Sequence, residues 1–310
     1  MPRFWKKLRH PIAVLIGLFS LLVPTAVAGG GPVDRLPDLQ MRRLSEFRLT
    51  VEPGGTEPDK LLLRFTAVII NKGEGPFVVR AERDCSDSSC PTMTAEQRVK
   101  RSNGSWRGIA SDGFAKYDVK DGHTHWHIMD VETYELIPMD VPPTQENVTG
   151  SKVGFCFFDT NAVNTSLPYS PDFPVFGESD CGVQSSTSIR VGLSVGWGDT
   201  YGWYLPRQWI NVTDVPHGRY LVCATSDAFE QWTEKRDDNN QSWTQVELYD
   251  QDGSTAVRIL GEGKSSCEEQ LGLPAMAGAS WRSSFPRAEA IHFPGPEAIV
   301  SRIEPAPLGG

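Results

Sequence analysis

The sequence predicts an all-β fold, with a sandwich-like core of short strands, long disulfide-tied loops and little helix. Short segments rich in β-branched and aromatic residues are separated by turn clusters of Gly, Pro and Asn, a pattern typical of β-sandwiches and barrels. No long amphipathic segment with good capping residues is found. The 6 cysteines, an even number, fit a domain whose loops are held by disulfides.

The predicted strands are apolar or alternating segments bounded by turn residues. Residues 61–70 (LLLRFTAVII) read as a buried strand, and the turn cluster after them leads into a second one. In chain order the predicted strands are 61–70, 77–80, 123–137, 153–158, 208–212, 219–225 and 242–249. The segments 85–117 and 161–192 are expected to be long loops, which in compact domains are usually functional or covalently tied.

The composition divides the chain into four segments. Residues 1–28 combine a basic start, an apolar run and Ala26-Val27-Ala28, which predicts a secretory signal peptide; an uncleaved amino-terminal anchor is the alternative. Residues 29–40 are expected to be a linker, 41–250 the main folded domain, and 251–310 an irregular tail. No later segment is apolar enough to cross a bilayer, so we expect a secreted protein that is not membrane-bound after cleavage.

Removing residues 1–28 takes away four basic residues and no acid, which changes the formal net charge from −9 to −13. An acidic surface argues against nucleic acid as a partner and favours cationic partners or substrates. The same charge also serves solubility, and charge alone does not separate the two. The oligomeric state does not follow from the sequence.

The cysteines and the glycosylation signals fit an oxidising, secretory compartment. Cys85 with Cys90 is the predicted local disulfide, and the pairs Cys156–Cys181 and Cys223–Cys267 would complete the set. No CxxC spacing points to a cysteine metal site. The five sites with the Asn-x-Ser/Thr signal, which would make the chain a glycoprotein in a suitable host, are Asn103, Asn147, Asn164, Asn211 and Asn240.

Three histidines occupy alternate positions in the segment GHTHWHIMD. On a β-strand, His123, His125 and His127 would project from one face, where three imidazoles can bind a transition metal. Trp126 and Ile128 would lie on the other face and pack on the core. The alternative is three unrelated histidines, a weaker explanation for this spacing.

Further segments follow the histidines in a fixed order. Lys152 lies four residues before Cys156, Asp199-Thr-Tyr201 precedes a predicted Gln208-Trp-Ile strand, and an Asn-Asn pair comes after a run of acids. Together with the His-x-His-x-His motif and the Met-Asp that follows it, this set resembles the lysyl oxidase family from about residue 61 to residue 248. Several matches in one order make the resemblance specific, whereas the histidine motif alone would be weak.

The resemblance implies an all-β, copper-dependent amine oxidase with a lysine tyrosylquinone cofactor. Copper would be bound by the three histidines, and Lys152 and Tyr201 would be cross-linked into the quinone. Such a protein uses dioxygen to convert a primary amine, either peptidyl lysine or a small amine, to an aldehyde, with release of ammonia and hydrogen peroxide. Asp199 is the preferred candidate for the base and Asp130 the rival, although both could be turn or capping residues.

The chain also departs from the family pattern. Animal members carry cysteines at the positions of Gly122, Trp197 and Arg207, and Trp126 replaces a tyrosine common between the last two ligands. These differences suggest a distant member, of microbial origin, and leave the substrate open.

Two other functions fit part of the sequence. A cupin-like, metal-dependent oxygenase would use His125, His127 and Glu132. A secreted metal-binding β-sandwich without catalysis would leave Lys152 and Tyr201 unlinked, which a peptide mass would reveal.

Overall fold

The described strands form three antiparallel sheets. Strand β4 (Lys60–Asn71) is the central strand of one of them. Its apolar residues are buried on both faces, as the near-continuous hydrophobic sequence predicts. The computed structural model describes residues 31–83, 85, 90–117, 124–140, 147–150 and 154–272.

The described residues form mainly strands, which confirms the all-β fold. The strands are β1 (Asp34–Arg35), β2 (Leu39–Met41), β3 (Ser45–Glu52), β4 (Lys60–Asn71), β5 (Phe77–Glu82), β6 (Thr92–Arg101), β7 (Trp106–Tyr117), β8 (Trp126–Met129), β9 (Glu132–Pro138), β10 (Val148–Thr149), β11 (Gly154–Phe155), β12 (Asn161–Ala162), β13 (Ser188–Leu193), β14 (Trp197–Tyr201), β15 (Trp209–Asn211), β16 (Gly218–Ser226), β17 (Gln241–Gln251) and β18 (Ser254–Gly263). A 3₁₀ turn spans Glu178–Cys181, and the short helix α1 spans Cys267–Gln270. Within the described part of the chain, no helix is long and apolar enough to cross a membrane.

Each sheet combines strands that are distant in sequence. The first has the order β11-β8-β7-β6-β5-β13, with β1 beside β6, and the second has the order β10-β9-β16-β17-β18. In the third, β4 pairs with β14, β15, β2 and β3, and β12 pairs with β14. The candidate site residues come from all three sheets.

The sheets share one hydrophobic core. Aromatic rings connect them: Phe65 of β4 lies edge-on to Tyr134 of β9 with ring centroids 4.8 Å apart, and Phe77 of β5 meets Phe157 at 5.0 Å and Trp232 at 5.5 Å. Burying such a side chain contributes roughly 1.5–3 kcal/mol. This packing makes the core rigid enough to hold polar groups in fixed positions.

The three predicted disulfides are confirmed. Cys85–Cys90 closes a local loop, Cys156–Cys181 joins the chain after β11 to the 3₁₀ turn, and Cys223–Cys267 ties α1 to β16. The described residues include no free cysteine.

The prediction of one strand over residues 123–137 was wrong. Strand β8 ends at Met129 and β9 begins at Glu132, and the two strands belong to different sheets. The chain changes sheets at Asp130, which has a φ of 58°. An aspartate tolerates this left-handed conformation better than most residues do.

The expected loop 85–117 contains the β6–β7 hairpin. Along β6, the buried side chains of Met93, Ala95, Gln97 and Val99 alternate with more exposed ones. This period-two pattern was a strand signal that the sequence analysis missed.

The segment boundaries remain predictions, but the structure shows regular elements where a linker and an irregular tail were expected. Strand β1 lies within 29–40 and β2 begins there, while β18 and α1 lie within 251–310. Strand β18 forms because Asp252 and Gly253, both with positive φ, make a two-residue hairpin turn after β17.

Candidate functional site

Two of the three motif histidines lie side by side at the start of β8. The rings of His125 and His127 are 4.9 Å apart, centroid to centroid, and His127 is buried. The third, His123, lies outside the described residues. Two adjacent imidazoles removed from bulk water suit a transition metal such as copper. Among the residues that the structure describes, no group of three or more His, Cys, Asp or Glu is placed to hold a metal ion.

A carboxylate from a loop that is distant in sequence contacts one histidine of the pair. Glu178, on the 3₁₀ turn, has an oxygen 3.5 Å from Nδ1 of His125. A carboxylate at Nδ1 favours the tautomer that leaves the lone pair of Nε2 for a metal. Nothing in the sequence pointed to Glu178, because 53 positions separate it from His125.

The loop that carries Glu178 is fixed by Asp159. Its buried carboxylate accepts hydrogen bonds from the backbone amides of Val175, Phe176 and Ser194, at 2.7, 3.2 and 2.8 Å, and from the Ser194 hydroxyl at 2.8 Å. The Cys156–Cys181 disulfide provides a second attachment at the far end of the turn. Glu178 is therefore presented to His125 by a loop that is held at both sides.

Tyr201 is a buried tyrosine at the end of β14. The backbone amide of Cys156 donates a 2.9 Å hydrogen bond to its hydroxyl oxygen, and the Phe155 ring lies 3.9 Å from the Tyr201 ring, centroid to centroid. Both contacts come from β11 and the residue after it. Tyr201 is thus attached to the segment that also pairs with the histidine strand.

Strand β11 makes this connection through its register with β8. Gly154 is opposite Met129 and Phe155 is opposite Ile128. The close approach needs a glycine, because a Cβ at Gly154 would lie 2.7 Å from the sulfur of Met129.

Lys152 lies outside the described residues, but the chain is described on both of its sides. At Gly150, the backbone amide donates a 2.7 Å hydrogen bond to the carbonyl of Tyr134, and the residue forms an isolated bridge with Ile210. At Gly154, the chain is paired with β8. Gly150 is therefore held to β9 and β15, and Gly154 to β8.

Both candidate bases are buried. Asp199 precedes Tyr201 by two residues on β14, so the two side chains project from the same face of the strand. Asp130 is located at the crossing from β8 to β9. Both Asp199 and Asp130 are therefore candidates for the catalytic base.

A buried polar cluster that the sequence analysis did not identify surrounds Tyr134. Gln208 donates from Nε2 to the Tyr134 hydroxyl at 3.1 Å, and the fully buried Glu132 precedes Tyr134 by two residues on β9. Burial raises the pKa of Tyr134 well above its usual value, and the charges of Glu132 and Tyr201 add to the increase. The available signal was a Glu and a Tyr at alternate positions of the strand sequence ETYELIP.

The Asn-Asn pair belongs to a different cluster. Asn240 donates to Glu234 at 3.1 Å, and Glu234 also accepts the backbone amide of Leu39. Burial raises the pKa of Glu234, as does the nearby Asp227. These contacts connect β2 to the chain before β17.

The structure thus defines an all-β, disulfide-linked domain in which paired histidines and a buried tyrosine are joined through one short strand. The lysyl oxidase family model matches residues 109–258. The chain is 27% identical over 192 residues to lysyl oxidase homolog 2 of Mus musculus, covering 61% of this chain and 19% of the relative. It is 34% identical over 102 residues to human protein-lysine 6-oxidase, covering 32% of this chain and 20% of the relative.

These matches confirm the resemblance to the lysyl oxidase family that was found in the sequence, and the family model covers just under half of the chain. The matched segment spans about a fifth of the length of these relatives.

Proposed function

We propose that this protein is a secreted, copper-dependent amine oxidase of the protein-lysine 6-oxidase type. It converts a primary amine, either peptidyl lysine or a small amine, to the aldehyde. One water and one dioxygen are consumed for each amine, and one ammonia and one hydrogen peroxide are released. Copper and a lysine tyrosylquinone supply the electron transfer when they are present.

The observation that carries the proposal is the attachment of Tyr201 to the chain around β11. The hydrogen bond from Cys156 and the ring contact with Phe155 join Tyr201 to residues three and four positions after Lys152 in the sequence. The same strand pairs with β8, which carries His127. The tyrosine and histidine segments, far apart in sequence, thus both contact the short segment that begins two residues after Lys152.

The chain's own residues have separate roles. His123, His125 and His127 bind copper through neutral imidazole nitrogens, and Glu178 orients His125. Lys152 and Tyr201 are the residues that become the quinone. Asp199 receives the proton from the α-carbon of the substrate amine, and Asp130 is the alternative base.

Buried aromatic side chains keep water from Tyr201. Phe155 packs against its ring, and the backbone amide of Cys156 donates a hydrogen bond to its hydroxyl oxygen. Exclusion of water strengthens the electrostatic interactions among the buried polar groups there.

Secretion is part of the proposal. The three disulfides fit an oxidising compartment, and residues 1–28 have the features of a signal peptide. The net negative charge suits cationic substrates, whether lysine-rich proteins or small polyamines.

The test is a phenylhydrazine reaction on copper-loaded, secreted protein, followed by mass mapping of the labelled peptide. We expect a labelled cross-link that joins Lys152 to Tyr201. Tyr201→Phe, which keeps the ring, is the negative control.

Unmodified Lys152 and Tyr201 peptides from fully metallated protein would contradict the mechanism. They would favour a metal-binding module without catalysis. A labelled cross-link would also exclude the cupin-like alternative, which gives Lys152 and Tyr201 no role.

A further inference from the structure

The outer face of the first sheet carries cationic side chains around one exposed tryptophan. Trp106 on β7 is opposite Lys100 on β6, and Arg80 on β5 is opposite both Glu96 on β6 and Arg190 on β13. Residues that are directly opposite each other lie on the same face of a sheet, and so do alternate residues of one strand. The five residues therefore share one face, while their neighbours along β5 and β6 are buried in the core.

Arg190 and Lys100 are both close to the ring of Trp106. The Arg190 guanidinium is 5.3 Å from the centroid of the Trp106 ring and 5.6 Å from that of Phe176, and Lys100 Nζ is 6.0 Å from the Trp106 centroid. Such cation–π contacts are weak one by one, but two rings together restrict where the guanidinium lies. Trp106 is 36% exposed, so part of its ring remains accessible to a ligand.

The two cations next to Trp106 differ from the other cations of this face. Two arginines are each paired with a glutamate two residues away on the same strand, and these pairs are Arg80–Glu82 and Arg98–Glu96. Among the residues that the structure describes, neither Arg190 nor Lys100 has a carboxylate within ion-pair distance. The whole chain has 39 acidic residues and 30 basic ones. Two such cations beside one ring therefore form a local positive charge on an acidic protein.

The register of β5 and β13 places like charges together. Arg80 and Arg190 are direct cross-strand partners, and both are exposed. Like charges in directly opposite positions destabilise a sheet. The ion pair with Glu82 compensates Arg80 only. An anion bound above the face would compensate Arg190.

Beside Trp106, the face has little bulk along β7. The next two residues on the same side of this strand are Gly108 and Ala110. The side chains of Glu96 and Arg98 lie across the glycine, because a Cβ at Gly108 would overlap the Glu96 carboxylate and lie 3.1 Å from Arg98 Nη1. Trp106 is thus followed by two positions without a large side chain of their own, which leaves room for an extended ligand next to the ring.

We propose that this face, defined by Lys100, Trp106 and Arg190 and called the Trp106 face below, binds a sulfated polysaccharide. Guanidinium and ammonium groups pair with sulfate as they do with phosphate, and a guanidinium can do so through two parallel hydrogen bonds. A sugar ring has an apolar C–H surface that packs on the exposed part of an indole ring. The negative charge of the rest of the protein repels a polyanion, so binding is confined to this face.

A sulfated polysaccharide fits better than other polyanions. The disulfides fit an oxidising compartment, and sulfated polysaccharides are common polyanions outside cells. An acidic polypeptide would satisfy the cations but offers no ring surface that matches Trp106. The inference does not depend on the proposed function, since no residue of the Trp106 face belongs to the candidate amine oxidase site.

The experiment titrates full-length secreted protein with a heparin oligosaccharide of defined length, by calorimetry, at several salt concentrations. Single-stranded DNA and polyglutamate of similar charge are the comparison ligands. The variants are Trp106→Ala, Arg190→Gln and Lys100→Gln. Arg258→Gln is the matched control, because Arg258 also lies over an aromatic ring, 5.0 Å from the Tyr249 centroid, but it belongs to the second sheet and is paired with Glu247 at 2.6 Å.

We expect each variant of the Trp106 face to weaken heparin binding about fivefold. In Arg190→Gln and Lys100→Gln, the slope of log affinity against log salt concentration should also fall by about one. Trp106→Ala should lower the affinity and keep the slope, because it removes no charge. Arg258→Gln should bind like wild type, and copper content and the Tyr201 cross-link should be the same in all variants.

Three results would overturn the inference. The first is wild-type protein that does not bind heparin at low salt. The second is equal binding by wild type, Arg190→Gln and Lys100→Gln, or an equal loss in Arg258→Gln. The third is binding of DNA or polyglutamate as tight as that of heparin, which would show attraction by charge alone. If the melting temperature shows that Trp106→Ala does not fold, the affinities and salt slopes of the two cation variants decide.

Discussion

The backbone amide of Cys156 donates a 2.9 Å hydrogen bond to the hydroxyl oxygen of Tyr201. Cys156 is also bonded to Cys181, at the end of the turn whose first residue, Glu178, meets His125. Cys156 therefore connects the two parts of the candidate site. Its backbone amide binds Tyr201, and its disulfide leads to the turn whose Glu178 contacts His125.

Replacing Tyr201 by Phe should abolish the phenylhydrazine adduct without loss of copper. It should also destabilise the fold by about 1–3 kcal/mol, because the buried Cys156 amide loses its acceptor. Urea unfolding and metal analysis measure the two effects. An adduct that persists in this variant would place the reactive carbonyl elsewhere.

Replacing Glu178 by Gln should weaken copper binding by about 10- to 100-fold, the usual cost of losing a carboxylate behind a ligand histidine. Competition with a copper chelator of known affinity measures the change. Asp172→Asn, at an exposed position of the same loop, is the control. Equal affinities in the Glu178 variant and the control would remove Glu178 from the metal site.

Replacing both Cys156 and Cys181 by Ser should lower both copper affinity and the cross-linked fraction, because the 3₁₀ turn and the end of β11 lose their covalent tie. Removal of the bond should also cost about 2–4 kcal/mol of stability. The Cys85 and Cys90 double variant is the control, since it opens only a local loop. A selective effect on copper and Tyr201 chemistry is expected only in the first variant.

The protein should lose stability as the pH rises from about 4.5 to 7, in part through Glu135. Burial raises the pKa of this residue to about 7, so the folded state retains a proton that the unfolded state releases in this range. The contribution is at most roughly 3 kcal/mol. Asp227, whose pKa burial also raises to about 7, acts in the same direction.

The Glu135→Gln variant tests this dependence, since it keeps the volume and cannot ionise. Denaturant unfolding between pH 4 and pH 8 should show a reduced slope relative to wild type. Glu52→Gln, on the exposed end of β3, should keep the wild-type slope. A slope that is unchanged in Glu135→Gln would assign the pH dependence to other groups.

Expression in a host that glycosylates secreted proteins should modify Asn103 and Asn164 and leave Asn240 unmodified. The first two are exposed, whereas Asn240 is 5% exposed and donates to Glu234. Peptide mapping after glycan release measures occupancy. Substantial occupancy at Asn240 would mean that this part of the chain is modified before it folds.

The sequence was sufficient mainly for features that depend on local pattern. The apolar segment at β4, the strand at β16 and all three disulfides were predicted correctly. The break at Asp130 was missed, because the histidine pattern and the apolar residues after it form one continuous strand signal. The left-handed conformation becomes favourable only because the flanking strands pair in different sheets.

Contacts between distant segments could not be predicted in the same way. The contact of Glu178 with His125 depends on a loop held by Asp159 and by a disulfide, and neither leaves a periodic trace in the sequence. The hydrogen bond from Gln208 to Tyr134 joins residues 74 positions apart, and no local pattern marks it. The roles of Lys152, Tyr201, Asp199 and the three histidines remain proposals for the experiments above to test.

Strand β4 has a consequence for the order in which the chain folds. Its partners come from residues 39–52 on one side of the sequence and 198–211 on the other. During synthesis, β14 and β15 emerge long after β4 itself. Until then this apolar strand lacks the hydrogen-bonding partners that complete its sheet. The domain must therefore complete its fold only after most of the chain has been synthesised, and it does not fold step by step as the chain emerges. Nascent chains that end before β14 should depend on chaperones to avoid aggregation.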